Sequence, residues 1–96
     1  MAIARHYEMH AGEVGADGLR AILVTLGDAV KAIPGCLGVE LLQDRDAPDR
    51  FLFIEKWESV EAHKAGGALL SQDLMKQLMG ALADRPKGAY LDYLDV

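Results

Sequence analysis

In the stretch "ARHYEMH", His6, Glu8 and His10 recur at every second position. On a β-strand these two imidazoles and the carboxylate project from one face, where they could hold a metal, pass protons or form a polar sheet surface. The geometry argues against a metal. Same-face neighbours on a strand are roughly 6.6 Å apart, too far for successive side chains to converge easily on one ion. No metal site is expected, His6 is kept as a candidate base, and His10 falls near the strand's end and water. A second group lies in "DRFLFIEKWESVEAHKA", where Phe53, Glu55 and Trp57 share one strand row and His63 follows on the next helix. Trp57 could wall an aromatic pocket and offer its indole N–H, and His63 has the near-neutral pKa a general base needs.

Each of these residues also has a purely structural reading. Trp57 and Phe53 can be core packing, Glu55 can pair with Arg5, and His63 can be a hydrogen-bonded structural histidine. Tyr7, on the opposite row of the first strand from His6, can be an ordinary sheet aromatic or a pocket wall. Alternation alone leaves open which row of that strand faces the helices.

The elements that must position these groups follow from periodicity. Ala2 to about His10 alternates as a strand, and "AGEVGADG" supplies a turn with Asp17 as the expected N-cap of a helix reaching Lys31 or Ala32. Leu19, Ile22, Leu23, Leu26, Ala29, Val30 and Ile33 form that helix's apolar stripe. "IPG" stops it, Cys36 to about Gln43 reads as a second strand, and "DRDAPDR" turns the chain into a third from Arg50 to Glu58. Ser59 is placed to cap a helical segment that Gly66 and Gly67 weaken, with helix resuming from about Ala68 to Ala83. "AYLDYLDV" is the last strand. The order βαββαβ predicts an α+β, ferredoxin-like domain, with a four-stranded antiparallel sheet and its helices on one face.

Large apolar residues on both sides of the strands would leave an exposed patch on the helix-free face, so a homodimer through that face is expected. The 96 residues make one domain, spanning 1–96, and the net charge of −5 with only ten scattered Lys and Arg argues against a nucleic-acid partner. No apolar run approaches the roughly 20 residues that a bilayer requires, and "MAIARHYEM" carries charge where a signal peptide would be apolar, so a cytoplasmic location away from membranes is expected. Cys36, the single cysteine, excludes an internal disulfide and a thiolate metal cage within one chain.

"IPGCLGVELLQD" and "DRFLFIEKWESVEAHKA" together resemble the antibiotic biosynthesis monooxygenase family of small dimeric α+β barrels. Members of that family typically show a PGC-like turn into strand two, an aromatic-rich strand ending in E-x-W, and a Ser- or Asp-led helix with a His. The matching residues here are Pro34, Gly35, Cys36, Glu55, Trp57, Ser59 and His63, and the element order agrees over essentially the whole chain. In many members the helix His lies further along, near the position of "GGA" in this sequence. The resemblance spans cofactor-free oxygenation of phenolic or quinol-like compounds, quinol oxidation and haem degradation. Haem-degrading members pair the strand-three Trp with an Asn on strand one, and this sequence contains no Asn, so haem chemistry is not expected.

What the resemblance implies is a monooxygenase acting on a small aromatic phenol or quinol without a cofactor, because an electron-rich phenolate can itself supply electrons to O₂. In that reading His63 or His6 removes the substrate proton, and Trp57, Tyr7, Glu55 and Phe53 hold the ring. The rival reading is a small-molecule-binding or structural homodimer of the same fold with no catalysis.

Overall fold

The computed structural model describes all of residues 1–96. Its elements are β1 (Ile3–His10), α1 (Gly15–Lys31), β2 (Cys36–Gln43), β3 (Arg50–Trp57), α2 (Val60–Gly67), α3 (Gln72–Ala81) and β4 (Lys87–Asp92). The strands form one antiparallel sheet in the order β2-β3-β1-β4, the ferredoxin-like arrangement. No helix is long and apolar enough to cross a membrane.

Register decides the faces. Arg5 lies opposite both Glu55 and Tyr90, and Tyr7 lies opposite Phe53 and Gly88, so these residues share one side of the sheet with Ile3, Met9, Phe51 and Trp57. This side carries the core, where Leu19, Leu23, Leu26 and Val30 of α1 and Leu78 and Ala81 of α3 cluster with Phe51, Phe53 and Trp57. Gly27 brings α1 close to the sheet, since a Cβ there would already be in van der Waals contact with Val39 and Phe53. His6 pairs with Ile54 and Ala89 on the other, helix-free side.

Three boundaries depart from the sequence reading, each for a local reason. Helix α1 begins before Asp17, led in by Gly15 at φ +77°. Val14 holds the N-cap position without a side-chain hydrogen bond, and Asp17 sits in the first turn, where a carboxylate favours the positive end of the helix dipole. The second helical stretch does not run from Ala68 to Ala83. Helix α2 ends at Gly67, and α3 starts afresh where the Ser71 hydroxyl accepts the Leu74 N–H at 3.3 Å, which leaves Leu70 in the junction. The last strand ends at Asp92, because Asp92 is already opposite Ile3, the first residue of its only partner strand.

Two features lock α2 onto the sheet. Ser59 Oγ accepts the Ala62 N–H at 3.1 Å, as the capping pattern requires. Gly66 is buried, and a Cβ in its place would lie 2.8 Å from both Ile33 Cγ2 and Trp57 Cη2. Only a glycine lets this turn of helix rest on the indole, and His63, one turn earlier on the same helix face, is thereby set over the strand row of Tyr7, Glu55 and Trp57.

Candidate active site

The site assembles around His63. Its Nε2 is 2.9 Å from the Tyr7 hydroxyl and its Nδ1 is 2.7 Å from the Tyr90 hydroxyl, so the ring is held at both nitrogens by phenols from neighbouring strands. Trp57 meets it edge-on, with ring centroids 5.5 Å apart. Below the ring, Glu55 Oε1 accepts the Trp57 indole N–H at 2.8 Å and stands 3.8 Å from His63 Nε2.

The electrostatics follow from burial. Desolvation, reinforced by Arg5 and Lys64, lowers the His63 pKa below its usual 6.5, which favours a neutral imidazole. Desolvation likewise raises the Glu55 carboxyl, offset in part by the Trp57 hydrogen bond and the Arg5 charge. The Tyr7 hydroxyl is raised by burial first and by Glu55 second. The site therefore holds its groups in their neutral forms more firmly than water would.

Two adjoining cavities open beside this cluster. One, of about 210 Å³, is lined by Tyr7, Glu55, Trp57, His63, Leu70 and Met75 among others. Another, of about 140 Å³, shares Tyr7, Glu55, Leu70 and Met75 and continues toward Met79 and Pro86. Cavities of about 150 Å³ lined by apolar groups accept a benzene ring, so each has room for one small aromatic ring. The α2–α3 break contributes directly, since it leaves Leu70 lining both cavities.

Of the residues singled out from sequence, the structure brings together His63, Trp57, Tyr7 and Glu55. It does not bring His6, whose side chain is on the opposite face of the sheet. Phe53 lines neither cavity; it is fully buried beneath α1. The structural alternative of a Glu55–Arg5 ion pair does not form, and Glu55 is bonded to Trp57. Glu8, in the His6 row, instead accepts from His10 at 2.9 Å and Arg50 at 3.2 Å. No group of three or more His, Cys, Asp or Glu side chains is placed to hold a metal ion.

Tyr90 as a partner of His63, and Leu70 and Met75 as cavity walls, were not among the residues singled out from sequence. Strand alternation in "AYLDYLDV" puts Tyr90 on the opposite row from Ala89 and Leu91 and is the available signal. It lacked the β1–β4 register that sets Tyr90 beside Arg5.

An antiparallel ferredoxin-like domain with a histidine-centred aromatic cleft between sheet and helices defines the class. Residues 2–65, two thirds of the chain, match the model of the antibiotic biosynthesis monooxygenase family, and the protein belongs to that family. Among solved structures, one from Chloroflexus aurantiacus, named as a candidate antibiotic biosynthesis monooxygenase, is 29% identical over 100% of this chain and 97% of its own, with a TM-score of 0.77. A protein of Pseudomonas aeruginosa is 25% identical, covering 98% of this chain and 95% of its own, at a TM-score of 0.81. SnoaB of Streptomyces nogalater, a cofactor-independent oxygenase solved as a variant, shares 11% identity over 99% of this chain and 95% of its own at a TM-score of 0.83, a likeness of fold alone. No curated protein sequence matches the chain.

Proposed function

We propose that this protein is a cofactor-independent monooxygenase for a small phenol or quinol-like aromatic, bound in the cleft beside Trp57. The observation that carries the reading is His63 held between the Tyr7 and Tyr90 hydroxyls at the wall of an aromatic-sized cavity. Family membership supports it, as does the cofactor-independent chemistry named for SnoaB, which has the same fold.

Both imidazole nitrogens are occupied, so the base acts through a relay. With the ring proton on Nδ1, that N–H donates to the Tyr90 oxygen and Nε2 accepts the Tyr7 O–H. A substrate hydroxyl in the cavity can then give its proton to the Tyr7 oxygen as the Tyr7 proton passes to Nε2. The resulting imidazolium lies 3.8 Å from Glu55 Oε1, and its positive charge draws that carboxyl toward the ionised form, which stabilises the imidazolium in turn. The phenolate, or the enolate conjugated with it, passes one electron to O₂, and the radical pair collapses to a carbon-bound peroxide that His63 protonates. Loss of water from a ring CH–OOH leaves C=O. The net change is CH₂ + O₂ → C=O + H₂O, with all four electrons from the substrate, and the apolar walls keep bulk water from the peroxide.

The same reading has the protein working as a homodimer. Leu42, Leu91 and Tyr93, each close to half exposed, and the neighbouring Leu52 and Ile54 give the helix-free face, which also carries Glu8, His10 and Arg50, an apolar patch that a second copy would cover.

The test is incubation with anthrone and with simple hydroquinones under air and under nitrogen. Conversion of anthrone to anthraquinone and of a hydroquinone to its hydroxyquinone, each with one atom of O₂ in the product and the other in water, is expected under air alone, falling at least 100-fold in His63→Ala, within the range typical for loss of a general base. Equally negligible turnover in both atmospheres overturns the proposal and leaves a binding module, in which His63→Ala changes stability and no product.

A further inference from the structure

One part of the cleft takes no share in the reaction described above. The cavity of about 140 Å³ has Tyr7, Glu55, Leu70 and Met75 in common with the cavity of about 210 Å³ beside His63, so the two meet along four shared walls. Neither His63 nor Trp57 lines the smaller one. Its remaining walls are Met9 of β1, Leu26 of α1, Leu78 and Met79 of α3, and Pro86, all apolar. Tyr7 and Glu55 are its only polar walls, and the Tyr7 hydroxyl and Glu55 Oε1 are already engaged with His63 and with the Trp57 indole N–H. What the smaller cavity offers a ligand is therefore apolar contact.

Its walls and size describe the group that fits. Met9, Met75 and Met79 line it, three of the four methionines in the chain. An unbranched thioether with three rotatable bonds conforms to a slender, flexible neighbour. Met79 is half exposed and lines the smaller cavity but not the larger, so this lobe reaches the surface away from His63. An apolar cavity of about 150 Å³ accepts the six carbons of benzene, which sets the capacity of this lobe at about six carbons.

We propose, resting on the oxygenase reading above, that the smaller cavity is a subsite for an apolar arm and that the substrate is an alkyl-substituted phenol or quinol. Its hydroxyl-bearing ring lies beside His63 and Trp57, and its arm lies among Met9, Met75 and Met79. The arm also fixes the direction of binding. A reversed ligand would bury its hydroxyl among apolar walls without a partner, which is costly, whereas the forward one brings it to the Tyr7–His63 pair.

The test titrates the intact protein with methyl-, propyl-, pentyl-, heptyl- and nonylhydroquinone by calorimetry under nitrogen, where binding is read without oxidation. Affinity is expected to rise about two- to fourfold per added carbon, the upper value being that of a fully buried methylene, and to level off beyond about six carbons, where the arm has left the cavity. Met79→Trp fills the lobe from its exposed side and should bring the pentyl and methyl compounds to within about twofold of each other. Met79→Gln keeps the side-chain length but sets an amide in the wall; it should narrow the same gap, which decides the matter if Met79→Trp does not fold. Flat affinity along the series, a rise that continues through nonyl, or a gap that survives both variants would overturn the proposal. Flat affinity with hydroquinone turnover under air removes the arm subsite and leaves the oxygenase reading standing. Arm-dependent binding with no turnover under air keeps the subsite and removes the oxygenase.

Discussion

His63 is a residue whose chemistry is set by its neighbours, and two predictions belong to it. Because burial depresses its pKa, the ring stays neutral below the usual 6.5, so the acidic limb of kcat/KM for quinone formation should fall below pH 6.5. Tyr90→Phe removes the partner of Nδ1 and should lower kcat more than KM, with the limb moving, whereas a merely structural Tyr90 would leave the pH profile in place. The second prediction is one of stability. A histidine with a depressed native pKa binds fewer protons folded than unfolded, so its contribution is present above the unfolded pKa and is lost as pH falls through about 6.5 toward the native value. Denaturant unfolding of the wild type should therefore lose stability between pH 7 and 5 relative to His63→Gln. Glu55, raised by burial, acts with the opposite sign: its native form binds more protons above the usual carboxyl pKa, and its contribution declines as pH rises through that range. The residue types of this site were legible in "FIEKWESVEAH". That Tyr90 and not His6 completes it was not, because an alternating strand does not say which row meets the helices.

At the scale of elements, the site depends on a broken helix. Helix α2 ends at Gly67 and Ser71 caps α3, and between them Leu70 faces the cavities. Gly66→Ala forces a methyl against Ile33 and Trp57 and should cost about 1–3 kcal/mol in chemical denaturation, with a change in Trp57 fluorescence. Ser71→Ala removes a helix cap and should cost about 1 kcal/mol with the indole undisturbed. The sequence places the resumed helix from about Ala68, but Leu70 lies in the junction and α3 begins only at Gln72. The break was legible only as a pair of glycines, since periodicity records which side is apolar and not whether the backbone hydrogen bonds run through.

For the whole molecule, the layered fold sends one sheet face to the helices and leaves the other uncovered. Replacing Leu42 and Leu91 together by lysine should shift the species measured by light scattering from dimer to monomer with the secondary structure unchanged; a monomeric wild type would remove the dimer from the proposal. The sequence by itself determined the element order, the apolar stripe of α1, the cap at Ser59 and the presence of Trp57, Glu55 and His63 on consecutive elements. All of these follow from local spacing and backbone preference. Only the tertiary structure decided that Tyr7 and Tyr90 meet at His63, that His6 is excluded, and that Arg5 is held between the two tyrosine rings. Those facts depend on strand register and on the depth to which α2 settles over Trp57, both of which arise from pairing between residues far apart in the chain.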